Sequence, residues 1–264
     1  MAIKTNQDID ARQTSDSYRP GWARVWQADT TTTKGIVAGF RRRLGAALFP
    51  KIALFNYLLV QWLDQYLNLK NMRILEIGGT GSLGLLLAKR CRHYTLIDYS
   101  APAVSIASQR LRQFANATVV HADMFDFLPT VPQDVVLSMG LLEHFFGAER
   151  EQVLKSHVRM SSQFICIGTP SDIPPNWWRH YRYELTKAYP SQRPVSESEL
   201  FELTVSVGLQ PVAMTRIDPT YGRRCNALKR LLFGWRSAIQ GRRGWGIDSE
   251  DGGLVVFLAS LRAR

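Results

Sequence analysis

Three cysteines, Cys91, Cys166 and Cys225, are too few, too far apart and too odd in number for a disulfide framework. They form no CxxC and no Cys/His ligand set, so no metal site is expected. A reducing compartment suits such a chain, and a cytoplasmic location is the expectation. The first twenty residues, MAIKTNQDIDARQTSDSYRP, lack the apolar run of a cleaved leader. No uninterrupted hydrophobic stretch of membrane length is present either. Leu44 to Leu63 comes nearest, but Pro50, Lys51, Asn56 and Gln61 break it. From Ile52 its apolar residues recur at helical spacing (Ile52, Phe55, Leu59, Trp62, Tyr66, Leu69), which predicts an amphipathic helix instead. Repeats and low-complexity tracts are missing, which argues against solenoids and disordered chains. Acidic residues are the scarce charge: 22 against 33 basic ones, for a net charge of +11. Anionic partners are therefore natural: an acidic substrate, a nucleic acid or an acidic membrane surface.

What is present is enough for one large core: 45% of the 264 residues are hydrophobic. Residues 1–50 read as an extension carrying Tyr18, Trp22 and Trp26, and residues 51–264 as the main domain. Strands are predicted at Met72–Ile77, Tyr94–Ile97, Thr118–His121, Val135–Leu137, Phe164–Ile167, Gln210–Ile217 and Leu254–Leu261. Helices are predicted at Leu83–Arg90, Ala101–Phe114, Glu149–Met160 and from Ser196 to about Val207. Ser196 and Glu199 form a capping box, and Gly208 ends that helix. Apolar strands joined by helical crossovers imply a mostly parallel sheet covered on both faces, an α/β fold. A basic, turn-rich stretch at about 218–252 holds no full crossover, so the last strand is expected to be antiparallel. A second insertion, about 169–195, is too polar and proline-broken to be core.

The sequence from Arg73 to Gly84, RILEIGGTGSLG, reads as strand, glycine turn and helix start. Glycines allow close backbone approach to a ligand, and a helix start offers free N–H groups. Glu76, just before the glycines, repels a pyrophosphate but suits a cation. Asp98 ends the second strand, placed to accept hydrogen bonds from ribose hydroxyls. Asp123 and Met124 follow the third, offering an acceptor for an amino group and an apolar side chain for a flat ring. Acids at three successive strand ends point to one nucleoside ligand without phosphate.

These motifs, Ile74-Leu-Glu-Ile-Gly78, Leu96-Ile-Asp98, Ala122-Asp-Met124 and Asp134 to Phe145, resemble the class I S-adenosylmethionine-dependent methyltransferase family over roughly residues 70–170. The later stretch from Ser196 to Leu261 is similar to that family's last helix and final strand pair. The resemblance implies a Rossmann-like methyltransferase sandwich with a seven-stranded sheet and S-adenosyl-L-methionine as cofactor. It assigns Glu76, Gly78, Gly79, Gly81, Asp98, Tyr99, Asp123 and Met124 to the cofactor, with Met139 and Gly140 lining it. One departure stands out: the glycine loop is one residue shorter than the family's Glu-x-Gly-x-Gly-x-Gly.

A rival is written into the same residues. Gly79 to Gly84 also satisfies GxGxxG, and Tyr183 with Lys187 has the YxxxK spacing of short-chain dehydrogenases, where Lys lowers the Tyr pKa. Glu76, the short interval from Leu137 to Tyr183, and Pro190 weigh against it. A non-catalytic binding subunit is a further alternative, although Glu76, Asp98 and Asp123 are all in place. Methyl transfer needs alignment, dehydration and, for some acceptors, a base. His144 and His180 are the candidate bases, with Glu143 read as a helix-start residue closing over the cofactor. Trp177, Trp178, Arg179 and Tyr181 suit a flat or anionic acceptor, with Tyr18 and Trp22 as a lid. The nucleic-acid methylase signature after the fourth strand is absent, and the paired-glutamate loop of arginine methylases is too. The expected acceptor is a small molecule: a biosynthetic intermediate, a glycan or a lipid head group. Residues 226–239 read as a basic amphipathic helix able to touch a membrane surface peripherally.

Overall fold

The computed structural model of the protein describes residues 54–170, 193–217 and 254–261. Within them lie α1 (Leu54–Leu63), β1 (Arg73–Ile77), α2 (Gly84–Leu87), β2 (His93–Asp98), α3 (Ala101–Leu111), β3 (Ala117–His121) and β4 (Gln133–Met139). They are followed by a 3-10 turn (Leu142–His144), α4 (Ala148–Met160), β5 (Ser161–Pro170), α5 (Glu197–Ser206), β6 (Leu209–Ile217) and β7 (Leu254–Leu261).

Seven strands form one sheet in the order β3-β2-β1-β4-β5-β7-β6. Strands β1 to β5 pair in parallel, while β7 runs antiparallel to both β5 and β6. The strand order reverses between β1 and β4, which places a crevice at the carboxyl ends of the central strands.

Both faces of the sheet are buried, as the apolar runs require. Ile74, Tyr94, Leu96, Val135 and Leu137 pack with Leu59 and Leu63 of α1, Leu87 of α2 and Leu111 of α3. The alternate residues Leu75, Ile77, Ile97, Val136 and Ile165 pack on the opposite face with Val153 and Leu154 of α4 and Leu200 of α5. Burying one such leucine contributes about 1.5–3 kcal/mol, so the two layers dominate the stability of the sheet.

Three predicted helices are shorter than their periodicity suggests, one of them α3, which ends at Leu111 rather than Phe114. Of the other two, the first ends at Leu63 rather than reaching Leu69, because the chain tightens into turns, with Gln65 N–H on the Trp62 carbonyl and Tyr66 N–H on that of Leu63. Tyr66 is consequently half exposed and rests edge-on against Trp62. The second, expected over Leu83–Arg90, is one α-turn flanked by tighter bonds from Leu86 to Leu83 and from Arg90 to Leu87. Strand β5 runs to Pro170, one turn of chain further than Ile167, so Thr169 belongs to the sheet and not to the insertion. At α5, Ser196 caps the helix by accepting the Glu199 N–H at 3.0 Å. The Glu199 carboxylate does not complete the capping box; it pairs with Arg150. No helix among the described residues is long and apolar enough to cross a membrane.

Candidate cofactor and active site

The glycine turn leaves β1 at Ile77 and is fastened to β2. Gly78 donates its N–H to the Ile97 carbonyl at 2.8 Å, and Gly79 donates to Asp98 Oδ2 at 2.8 Å. Asp98 Oδ1 takes the Ser100 N–H at 2.7 Å, so one carboxylate holds both the loop and the start of α3. Gly79 has φ of +123° and Gly81 of +75°, values that side chains resist. A Cβ on Gly81 would also lie 3.1 Å from Leu111 on α3.

Glu76 sits one layer below. Its Oε2 accepts a hydrogen bond from the Tyr94 hydroxyl, and its Oε1 lies 3.1 Å from the point a Cβ on Gly79 would occupy. The carboxyl is thus buried under the loop, where it faces Tyr94 rather than open crevice. Burial pushes it up to about 7, with Asp98 adding to the rise and the Tyr94 bond opposing it. Tyr94 reaches Glu76 because α2 begins with glycine: a Cβ on Gly84 would stand 2.6 Å from the tyrosine ring. The shortened loop therefore rests on a tyrosine–glutamate pair. Burial is also the main reason the Asp98 carboxyl is raised, against the lowering pull of its two backbone donors.

Asp123 and Met124 follow β3. Ala122 N–H bonds the Asp98 carbonyl at 3.1 Å, which ties the ends of β2 and β3 together. Asp123 Oδ1 accepts the Phe125 N–H at 2.9 Å, while the Met124 side chain joins the core. Tyr99 offers its carbonyl to His121 at 2.7 Å.

The ends of β4 and β5 carry the other candidates. Gly140, at φ of +75°, donates to the Gly168 carbonyl at 2.8 Å. The Met139 sulfur lies over Gly168, only 2.2 Å from where a Cβ there would be. Glu143 and His144 are both buried in the 3-10 turn. The Glu143 carboxylate lies against Gly140, accepts from Thr169 Oγ1 at 3.4 Å and stands 4.0 Å from His144 Nε2. Burial pushes it up to about 8, opposed by Thr169 and Arg150.

Sequence reasoning missed Arg150. It is 1% exposed, yet it donates from Nε to the Phe145 carbonyl at 2.8 Å, from Nη2 to the Arg193 carbonyl at 2.8 Å, and pairs with Glu199. Arg193 N–H in turn bonds the Glu143 carbonyl at 2.9 Å, and Val195 N–H the Pro170 carbonyl at 3.3 Å. These bonds close the base of the segment between β5 and α5 against the turn after β4. Nothing in the sequence distinguishes it from a solvated arginine in the first turn of a helix.

His180, Trp177, Trp178, Arg179, Tyr181, Tyr18 and Trp22 lie outside the described residues, as do Tyr183, Lys187 and the basic stretch 226–239. Among the described residues no three potential metal ligands cluster.

Two carboxyls converge on Gly79 and a third follows the next strand, which disfavours a pyrophosphate and fits a cationic nucleoside. The topology agrees, since a dinucleotide fold continues in parallel as 3-2-1-4-5-6, whereas here an antiparallel β7 enters between β5 and β6. Fold and site together fit a Rossmann-like methyltransferase sandwich whose cofactor is S-adenosylmethionine.

Residues 74–162 match the family described as the methyltransferase domain. The chain thus carries an S-adenosylmethionine-dependent methyltransferase domain. No curated protein matches the sequence. Among solved structures, the Burkholderia thailandensis 1,6-didemethyltoxoflavin-N1-methyltransferase, with bound 1,6-didemethyltoxoflavin and S-adenosylhomocysteine, is similar at 14% identity and TM-score 0.58. That match covers 96% of this chain and 93% of the other. Magnesium protoporphyrin IX methyltransferase from Synechocystis PCC 6803, with bound S-adenosylhomocysteine, is similar at 13% identity and TM-score 0.56, over 97% and 98% of the two chains. The [4+2]-cyclase SpnF shares the fold too, at 14% identity and TM-score 0.53, over 79% of this chain and 81% of that one.

Proposed function

We propose that this chain methylates an O, N or C atom of a small-molecule acceptor, anionic or aromatic in character: a biosynthetic intermediate, a glycan or a lipid head group. The observation that carries the reading is the Asp98 carboxylate, fixed at the end of β2 by the Gly79 and Ser100 N–H groups. From that position it receives ribose hydroxyls, while Gly78, Gly79 and Gly81 bring backbone close to the amino-acid portion. Glu76 supports the loop and adds negative charge beneath a cationic ligand. Tyr99 and Asp123 border the base, with Met124 packed in the core behind them, and Met139 and Gly140 line the inner wall. When bound, S-adenosylmethionine supplies a methyl group already activated by its sulfonium.

The chain's own task is then alignment and exclusion of water. His144, buried beside Glu143, is proposed to take a proton where the acceptor must lose one, with His180 as a second candidate. Trp177, Trp178, Arg179 and Tyr181, with Tyr18 and Trp22, are proposed to hold the acceptor. The heterocycle and porphyrin named for two structures of this fold support a small-molecule acceptor. The reading includes a cytoplasmic location and peripheral membrane contact through residues 226–239; unchanged sedimentation with acidic vesicles after their removal would refute the contact.

Calorimetry with S-adenosylhomocysteine and with NADP tests the proposal, followed by methyl-label transfer to candidate acceptors. Binding of the former alone and label on a small molecule are expected. NADP binding, or cofactor binding with no transferred label across acceptor classes, counts against it.

A further inference from the structure

The chain from Ala122 to Pro132, which connects β3 to β4, contains no helix. Its peptide groups therefore lack the partners a crossover helix would give them and bond to side chains, turn partners or water instead. Two residues, Asp123 and the exposed Arg159, provide several of them. Asp123 takes the Phe125 N–H on its Oδ1 at 2.9 Å, and its carbonyl takes the Phe127 N–H at 2.8 Å. Arg159, in the last turn of α4, supplies the opposite polarity. Its Nη2 donates to the carbonyls of Met124 at 3.1 Å, Phe125 at 2.7 Å and Phe127 at 3.3 Å. A guanidinium is suited to this, because its donors sit in a rigid plane and stay charged at any working pH.

The same turn is pinned from two other directions. Met124, Phe125 and Phe127 pack into the core on the α4 face, with Phe125 edge-on to Phe145 at 5.9 Å. Ala122 N–H holds the Asp98 carbonyl at 3.1 Å. The carboxylate of Asp123 is thus set at a fixed offset from that of Asp98, with Arg159 closing the turn behind it.

We propose that Arg159 is a positioning residue for nucleobase selection, holding the 123–127 turn so that the site distinguishes a 6-amino purine from a 6-oxo purine. The inference rests on the reading that Asp123 faces the base of the cofactor. An amino group donates to a carboxylate, whereas an oxo group in its place presents a second acceptor and forfeits the bond. Sites built around one hydrogen bond reject the analogue that lacks it. That rejection requires the acceptor to be held still; a turn released from Arg159 lets Asp123 move away from either base.

Calorimetry on the full chain with S-adenosylhomocysteine and S-inosylhomocysteine tests this. The unaltered chain is expected to prefer the adenine compound by about tenfold or more, the worth of one charged hydrogen bond. In Arg159→Met the preference collapses towards unity, mostly through loss of adenine-compound affinity. Arg159→Lys, which keeps one charged donor, retains an intermediate preference, and it carries the test alone where the methionine variant does not fold. A variant that keeps the full preference overturns the inference, as does one that weakens both ligands equally, since a purely structural staple predicts that. No base preference in the unaltered chain removes the Asp123 reading and this inference with it. Failure to bind S-adenosylhomocysteine at all refutes the proposed function itself, a result visible before any variant is made.

Discussion

The two halves of the sheet's carboxyl edge are made of different materials. At the ends of β1 and β2 the loop is held by glycine N–H groups and one short carboxylate, over a single buried Glu76–Tyr94 pair. At the ends of β4 and β5 a set of long charged side chains is buried instead, with Glu143 and Arg150 sealed from water and Glu199 and Arg193 at their border. The first half is set up to touch a ligand whose shape is constant. The second holds Arg193 and Val195, which precede α5, against the ends of β4 and β5. A fold shared with a [4+2]-cyclase fits this division, because a fold does not dictate the reaction it hosts.

The comparison breaks most visibly at Arg150. Arg150→Met leaves the Phe145 and Arg193 carbonyls without their donor and Glu199 without its partner. Losing the charged donor to two carbonyls costs on the order of 2–4 kcal/mol, so chemical denaturation should show a loss of that order. Affinity for S-adenosylhomocysteine, measured in the cold on folded protein, is expected to stay within about twofold, since no Arg150 contact reaches the glycine loop. A large loss of that affinity would show that the two halves are not independent.

Proton linkage gives the next largest effect. Folding raises Glu76 to about 7 and Glu143 to about 8 from an ordinary 4.5, so the folded chain retains protons that the unfolded chain has released. Their contribution to stability is full below about 4.5 and is lost as pH rises through 7 and 8, a change on the order of a few kcal/mol. His157 works in the opposite direction. It is buried, with Val153 and Ser138 as partners, and is lowered to about 4 from 6.5. Its contribution is therefore lost as pH falls from about 6.5 through 4. Melting temperatures between about pH 6.5 and 8.5 isolate the carboxyls and should fall with rising pH. Glu143→Gln should flatten the upper part of that slope. A cationic ligand should reverse part of the loss, because it favours the ionised Glu76 beneath the loop.

Asp98→Ala is the smallest of these effects on stability and the sharpest on binding. It removes the acceptor for Gly79 and Ser100 as well as the proposed ribose contact. S-adenosylhomocysteine affinity should drop by about 1–3 kcal/mol, with a stability loss well below that of Arg150→Met. Equal binding by the variant and the unaltered chain would remove Asp98 from the site.

Much of the first half could be read in the sequence because local chemistry specifies it. A glycine run after an apolar strand has few structural uses, and acids at Asp98 and Asp123 stood where strand periodicity ended. The antiparallel last strand was visible as a missing crossover. Glu76 was legible as a residue but not in its orientation: its burial depends on Tyr94, eighteen positions away, and on Gly84 letting that ring through. Arg150 and Arg159 were not legible at all. Arginines on a helix normally read as its solvated face, and only the packed chain shows which carbonyls they gather.

The linear order of residues by itself determined the alternation of strands and helices, the glycine turn and the acidic strand ends, because each follows from periodicity and backbone preference within a few residues. The tertiary structure alone decided which carboxyls are buried, which arginines become anchors and how the loops flanking the crevice are held. Those outcomes depend on burial and on partners distant along the chain, where removing a charge from water is favourable only if the fold delivers its counterpart.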